Sequence, residues 1–369
     1  MPALTAPPTP GEEFRDDLRP LGEGRAAGPA PAGTGNAAAR RVLSPTELGL
    51  YTVLDDRRSA LAMAQTAGLI AAAIAFALAL WPSAWVLSSV LLIGIQQHGL
   101  FILAHEAAHY RLLQSRRAND AIGRAIGMAS GLSMYTYRVI HRLHHNNLYT
   151  EEDPDTAIHG GYPRGVAYLW KKLAADLAGL NAWKTYAYFF GAPAINDDTQ
   201  RAARPLDDTS PALRAAARAD RRAVIAAQVA LPLAAFAWGG ATALLQYAVL
   251  WLLPLATVLQ PLLRLRAIAE HGAVSDFSSP LTAARCNRTT GSIGNWLGRA
   301  LLFPHHVNHH LEHHLYPAVP HYHLPALHRA LRDKGVLEGA EVRDIAETLQ
   351  LVFAPRMPRP ARGEPVDAN

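Results

Sequence analysis

SALAMAQTAGLIAAAIAFALALWPSAWVLSSVLLIGIQQHGLFILA (Ser59–Ala104) runs for 46 residues without one Asp, Glu, Lys or Arg. A bilayer-crossing helix needs about 20 apolar residues at about 1.5 Å each. The stretch therefore has the length of two spans, 59–81 and 84–104, broken at Trp81-Pro82-Ser83. A second uncharged stretch, Ala223–Leu263, repeats the pattern over 41 residues with Gly239-Gly240 near its middle. It reads as spans 221–238 and 241–263, the first short and started at the interface by Asp220, Arg221 and Arg222. Trp81, Trp85 and Trp238 fall at the two tips, where aromatic rings favour the headgroup zone. Four such helices would be unusual in a soluble core. The expected fold is an all-α membrane protein: four transmembrane helices as two hairpins, with a helical cytoplasmic body.

The rest of the chain agrees. Every Lys and Arg lies before, between or after the hairpins, so all face one side, which the positive-inside rule makes cytoplasmic. Anionic lipid headgroups account for the net charge of +5 better than nucleic acid does, because the basic residues are scattered or flank the apolar runs. One cysteine, Cys286, excludes an internal disulfide or a four-cysteine metal site. Residues 1–44, rich in Pro, Ala and Gly, read as a disordered tail without the apolar core of a secretion signal. The membrane domain is expected over 45–335, followed by a C-terminal helix and Pro-rich tail over 336–369. Trp170–Phe190 mixes lysines with aromatics and reads either as a helix in the interface or as the outer face of a cytoplasmic helix.

The 17 histidines all lie between His98 and His328, and six fall between His305 and His314. The second span runs into His105-Glu106-Ala107-Ala108-His109; His141-Arg142-Leu143-His144-His145 follows, and the fourth span leads to Glu270-His271. Residues at i, i+3 and i+4 share one helix face, so each cluster can present several imidazoles together. Neutral imidazole is the commonest metal ligand. The ligand count exceeds the four that one tetrahedral zinc takes, so two metals fit better, although imidazole suits zinc, copper, iron and nickel alike. Ligating histidines usually donate their other N–H to a carboxylate or carbonyl. Glu106, Asp153, Asp155, Glu270 and Glu312 are candidates for that role, with Asn308 behind them. His98 shares a helix face with His105 and is a candidate for lining a substrate channel, or for a plain helix–helix hydrogen bond. His159, His321, His323 and His328 read as surface residues.

HEAAH, HRLHH and HLEHHLYP resemble the three histidine boxes of the membrane fatty acid desaturase superfamily, which also contains hydroxylases and ketolases. The resemblance covers about residues 50 to 335 and includes Glu152-Asp153-Pro154-Asp155 and the segment Arg266–Gly272. It implies two non-haem iron ions on the cytosolic side, held by His105, His109, His141, His144, His145, His271, His310, His313 and His314. His306, His309 and His310 also spell HxxHH, but Tyr316-Pro317 after the later set matches the family's third box. His306 and His309 would then stand behind the ligands. The asparagine that some members carry one turn before the extra histidine is Ala267 here.

The implied reaction is dioxygen-dependent oxidation of an unactivated C–H bond, with introduction of a double bond into a lipid acyl chain. A lipid or hydrocarbon hydroxylase or ketolase would use the same centre. HEAAH also satisfies the HExxH pattern of a zinc metalloprotease with Glu106 as base, but that reading leaves the later boxes unexplained. A histidine-rich metal transporter would place its ligands near mid-membrane, not at the span ends. The chain has no dinucleotide fingerprint and no ferredoxin cysteines, so an external ferredoxin-like or cytochrome donor is expected. Arg116, Arg117, Arg124, Lys171 and Lys172 could dock an acidic carrier or lipid headgroups.

Overall fold

The computed structural model describes residues 42–150, 152–193, 206, 209–274, 276–277 and 279–355. The expected tails lie almost wholly outside these residues. Helix α1 (Pro45–Thr52) starts on a capping box between Ser44 and Glu47. Helix α2 (Asp56–Ala79) starts on Asp55, whose carboxylate accepts from the Arg57 and Arg58 N–H groups. It packs along α3 (Val86–Ala108), and the connection holds Trp81-Pro82-Ser83 as expected. Of the apolar windows, that of α3 is 67% buried, against 28% for α2, so α3 is the inner helix. It also outruns the apolar stretch and carries His105 on its last turn.

Helices α4 (Arg116–Ser130) and α5 (Met134–Asn146) seat the end of α3. The Asn119 amide donates to the Ala107 carbonyl at 2.9 Å and accepts from the Leu112 and Leu113 N–H groups. A side chain at Gly127 would place its Cβ 2.3 Å from the Leu132 carbonyl oxygen, and Gly131 takes φ 78° at the C-cap. Glycine at both positions lets α4 turn tightly into α5. Two helices, α6 (Val166–Leu177) and α7 (Ala182–Phe189), replace the single one expected over 170–190, and both hold exposed tryptophans, Trp170 and Trp183.

Helix α8 (Pro211–Tyr247) is capped by Ser210 and begins well before the uncharged run. Asp220 is buried, accepting from Arg124 Nε at 2.8 Å, Ser133 Oγ at 3.0 Å and Tyr135 N at 3.2 Å. Gly239 and Gly240 leave helical geometry, Gly240 with φ 63°. The chain folds back there: Gln228 and Trp251, on either side, both donate to the Ala129 carbonyl, at 3.2 and 2.9 Å. After a π-turn over Ala248–Leu252 the return limb ends in α9 (Leu259–His271). Among the described residues, three helices are long and apolar enough to cross a membrane: α2, α3 and the continuous run Pro211–His271.

Beyond α9 come β1 (Cys286–Arg288), α10 (Ile293–Leu301), α11 (His310–Leu315), α12 (Leu324–Asp333), β2 (Val342–Asp344) and α13 (Ile345–Val352). Helices α11 and α12 close over a second core that includes Leu311, Leu315, Leu324 and Leu327, with Tyr316 between them. The strands pair in parallel, Cys286 with Val342 and Arg288 with Asp344. Val342–Asp344, beyond the expected boundary at 335, thus pairs with a strand that lies before it.

Candidate metal centre

The nine box histidines arrive from four helix ends and fall into two groups. His105, His109, His141, His145 and His313 form one; His144, His271, His310 and His314 form the other, and within each the donor nitrogens all lie within 4.8 Å of one another. In the first group Nε2 atoms stand 2.8 Å (His109–His141), 3.0 Å (His141–His145) and 3.1 Å (His145–His313) apart. In the second the spacings are 3.1 Å (His144–His271), 2.8 Å (His271–His310) and 3.1 Å (His310–His314). Helices α5 and α11 each feed both groups, because residues at i, i+3 and i+4 fan out over one face.

These nitrogens suit metal better than one another. The His271 Nδ1 bonds to the Ala283 carbonyl at 3.0 Å, which only accepts, so a neutral ring there leaves Nε2 a lone pair. His144 Nδ1 faces the Asp153 carboxylate at 3.0 Å, so its Nε2 is likewise a lone pair when the ring is neutral. The two lone pairs meet at 3.1 Å, a contact that only a cation or a proton reconciles. Burial would lower His144, but the charges of Asp153 and Asp155 and the Asp153 hydrogen bond lift it to about 9, so positive charge is favoured there. Burial holds His141, His145, His310, His313 and His314 well below the ordinary histidine range, neutral and free to ligate. Metal–imidazole bonds of about 2.1 Å at right angles would set neighbouring nitrogens about 3 Å apart, the spacing seen. The donor set fits a pair of transition-metal ions.

Around the groups, Asp153 bonds His144, and Asp155 Oδ2 lies 3.7 Å from the same ring while Asp155 Oδ1 accepts from the Tyr188 hydroxyl. Glu106 reaches His105 Nδ1 at 3.3 Å and accepts the His321 N–H at 2.9 Å. Glu270 Oε1 lies 3.7 Å from His310 Nδ1. Glu312 and His309 turn away, toward Cys286 and His328. Asn308 donates to the Asn287 carbonyl at 3.0 Å and so serves the backbone beside β1. His306 sits in a short turn with φ 60°, outside both groups. His98 is fully buried with no hydrogen bond to either ring nitrogen.

Several contributors escape sequence reasoning. Arg138 donates to the Ala107 and Ala108 carbonyls at 3.2 Å and to Asp120 at 2.7 Å, capping the helix end that carries His105 and His109. Arg285, fully buried, does the same for α9 through the Ala269 and Gly272 carbonyls, both at 3.1 Å. The Tyr149 hydroxyl donates to the His271 carbonyl. His159 and His321, read as surface residues, are buried, His159 with Nε2 3.5 Å from Asp153. Except for His159 and Asp153, six residues apart, the partners in these contacts are remote in sequence.

A cavity of about 170 Å³ reaches both groups through His141, His144, His271 and His310. Phe101, Ile102, Ile140 and Leu263 supply apolar wall, and Lys172, Lys184 and Arg264 also line it. His98 does not line it, whereas Ala267 does.

Comparison with known proteins agrees with this construction. The chain is 28% identical over 257 residues to dihydrorhizobitoxine desaturase of Bradyrhizobium elkanii, covering 66% of this chain and 65% of that one. It is 41% identical over 71 residues to a beta-carotene ketolase of a Paracoccus species, 19% of this chain and 29% of the ketolase. It is 29% identical over 72 residues to an omega-6 fatty acid desaturase of the Glycine max endoplasmic reticulum, 20% and 17% of the two chains. The chain thus spans between 17% and 65% of these relatives' lengths. The family profile described as fatty acid desaturase matches residues 79–345, and the chain belongs to that family.

Proposed function

We propose that the protein is a membrane-bound di-iron oxidoreductase that introduces a double bond into a lipid acyl chain, using dioxygen and electrons from an external ferredoxin-like or cytochrome donor. The observation that carries the reading is the cavity that joins apolar walls to both histidine groups. Two irons held by the nine histidines would supply dioxygen activation, with dioxygen taking up two electrons from the external donor and the two that the substrate loses when its C–H bonds are cleaved. The protein's share is placement. Phe101, Ile102, Ile140 and Leu263 exclude water and hold an alkyl chain beside His141 and His144. Lys172 and Arg264 suit an anionic or polar head. Asp153 and the Ala283 carbonyl fix the tautomers of His144 and His271, so their Nε2 atoms point inward.

Four spans in two hairpins, with the centre on the cytoplasmic face, support entry of the substrate from the bilayer. The uncharged tips, with Trp85 and Trp238 exposed, and the basic residues gathered at the other end favour that orientation. The likeness to ketolases favours a second reading, a lipid or hydrocarbon hydroxylase or ketolase with the same centre. Expression in a host with lipid mass spectrometry separates the two: a two-dalton loss marks a double bond, a sixteen-dalton gain an alcohol and a gain of about fourteen daltons a ketone. His144→Ala and His313→Ala are expected to abolish iron binding and product together. Product from either variant would remove the ligand assignment.

A further inference from the structure

Cys286, His309, Glu312 and His328 form another set of convergent donors, outside the nine-histidine groups. Cys286 lies in β1 and His309 stands just before α11; the two face each other in an antiparallel backbone bridge. Backbone pairing thus brings sulfur and ring together. Cys286 Sγ is 3.5 Å from His309 Nδ1 and 3.7 Å from His328 Nδ1 of α12. Glu312 contacts His328 Nδ1 through Oε1, while its Oε2 lies 3.8 Å from His309 Nδ1. Glu312 is fully buried, and Oε2 has no hydrogen-bond partner. A buried carboxylate oxygen left unsatisfied is costly, and the Glu312 carboxylate belongs to a set of four donors that all lie within 4.8 Å of one another.

We propose that these four side chains bind one zinc ion, separate from the histidine-bound pair. Thiolate, imidazole and carboxylate are all zinc donors. Bonds of about 2.3 Å to sulfur and about 2.0 to 2.1 Å to nitrogen, at tetrahedral angles, set the two atoms about 3.5 Å apart. Both sulfur–nitrogen distances match. One thiolate and one carboxylate offset the double positive charge, so the buried centre is neutral overall. Binding releases the thiol proton to solvent, and both imidazoles stay neutral. Four protein ligands close the coordination sphere, which makes the site structural. It joins β1, α11 and α12, and α11 presents His310, His313 and His314 from its other face.

The test uses the full-length protein purified in detergent. Metal analysis of the wild type should find one zinc per chain besides any iron, and Cys286→Ser or His328→Ala should reduce zinc to background. Protein expressed with cobalt should show a thiolate-to-cobalt charge-transfer band in the near ultraviolet, lost in Cys286→Ser. The nine-histidine groups contain no sulfur, so that band reports this site alone, whatever becomes of the iron reading. A wild type without zinc above buffer, or a cobalt form without the band, overturns the proposal even if the variants fail to fold. Zinc unchanged in folded Cys286→Ser overturns it as well.

Discussion

Asp153 shows how a single residue aims a ligand. It is buried, bonds His144 Nδ1 at 3.0 Å, accepts the Tyr149 N–H at 3.0 Å and the Asp155 N–H at 2.9 Å. Burial would raise its carboxyl, yet the charges and hydrogen bonds of His144 and His159 hold it well below the usual carboxylate range. Removing such an orienting carboxylate typically costs about 10- to 100-fold in metal affinity. Asp153→Asn should therefore release iron to a chelator at concentrations the wild type resists, with the helical circular dichroism unchanged. Gly127 offers a second prediction. A methyl group there meets the Leu132 carbonyl at 2.3 Å, backbone that cannot swing aside, whereas at Gly68 nothing lies within 4 Å. Gly127→Ala should lower stability by about 1–3 kcal/mol, read as a lower thermal unfolding temperature, while Gly68→Ala should leave it unchanged.

At the scale of elements, two arginines do related work. Helices α3 and α9 both end at the metal centre, where their last carbonyls lack intrahelical partners. Arg138 and Arg285 satisfy carbonyls at those ends from elsewhere in the chain. Arg138→Lys should lose iron despite conserving charge, because an ammonium cannot span two carbonyls and Asp120 as a planar fork does. Iron content and circular dichroism together would check this; full iron retention would remove the capping role. The same elements show what a reader of the sequence sees. The box histidines are legible because i, i+3 and i+4 encode a shared face. Arg138 and Arg285 are not, since their partners lie as far as 31 and 56 residues away and depend on tertiary packing. Glu312 misleads by proximity: it adjoins His313 in sequence, yet successive helical residues turn about 100°, so it faces away from His310, His313 and His314.

For the whole molecule, the proposed topology puts the uncharged turns at Trp81-Pro82-Ser83 and Gly239-Gly240 on the side of the membrane opposite the basic residues. A membrane-impermeant maleimide should label Ser83→Cys on intact cells, but Arg117→Cys only after the membrane is opened. Cys286, almost wholly buried, should contribute no background. Labelling of Arg117→Cys on intact cells would invert the topology. Three helices long and apolar enough to cross a membrane are found among the described residues, and charge silence made long apolar helices legible from composition alone. The inner position of α3 was not, because α2 and α3 are similarly apolar, with mean hydropathy 1.9 and 1.7, and packing alone separates them.

The parallel pairing of β1 with β2 bears on the order of synthesis. Cys286 pairs with Val342 and also bridges His309, so the seat beneath the last box is finished by residues made more than 25 positions after His314. The earlier boxes leave the ribosome and meet the bilayer before that seat exists. A chain that stopped before Val342 would present the last box without the strand pairing that holds Cys286 against His309.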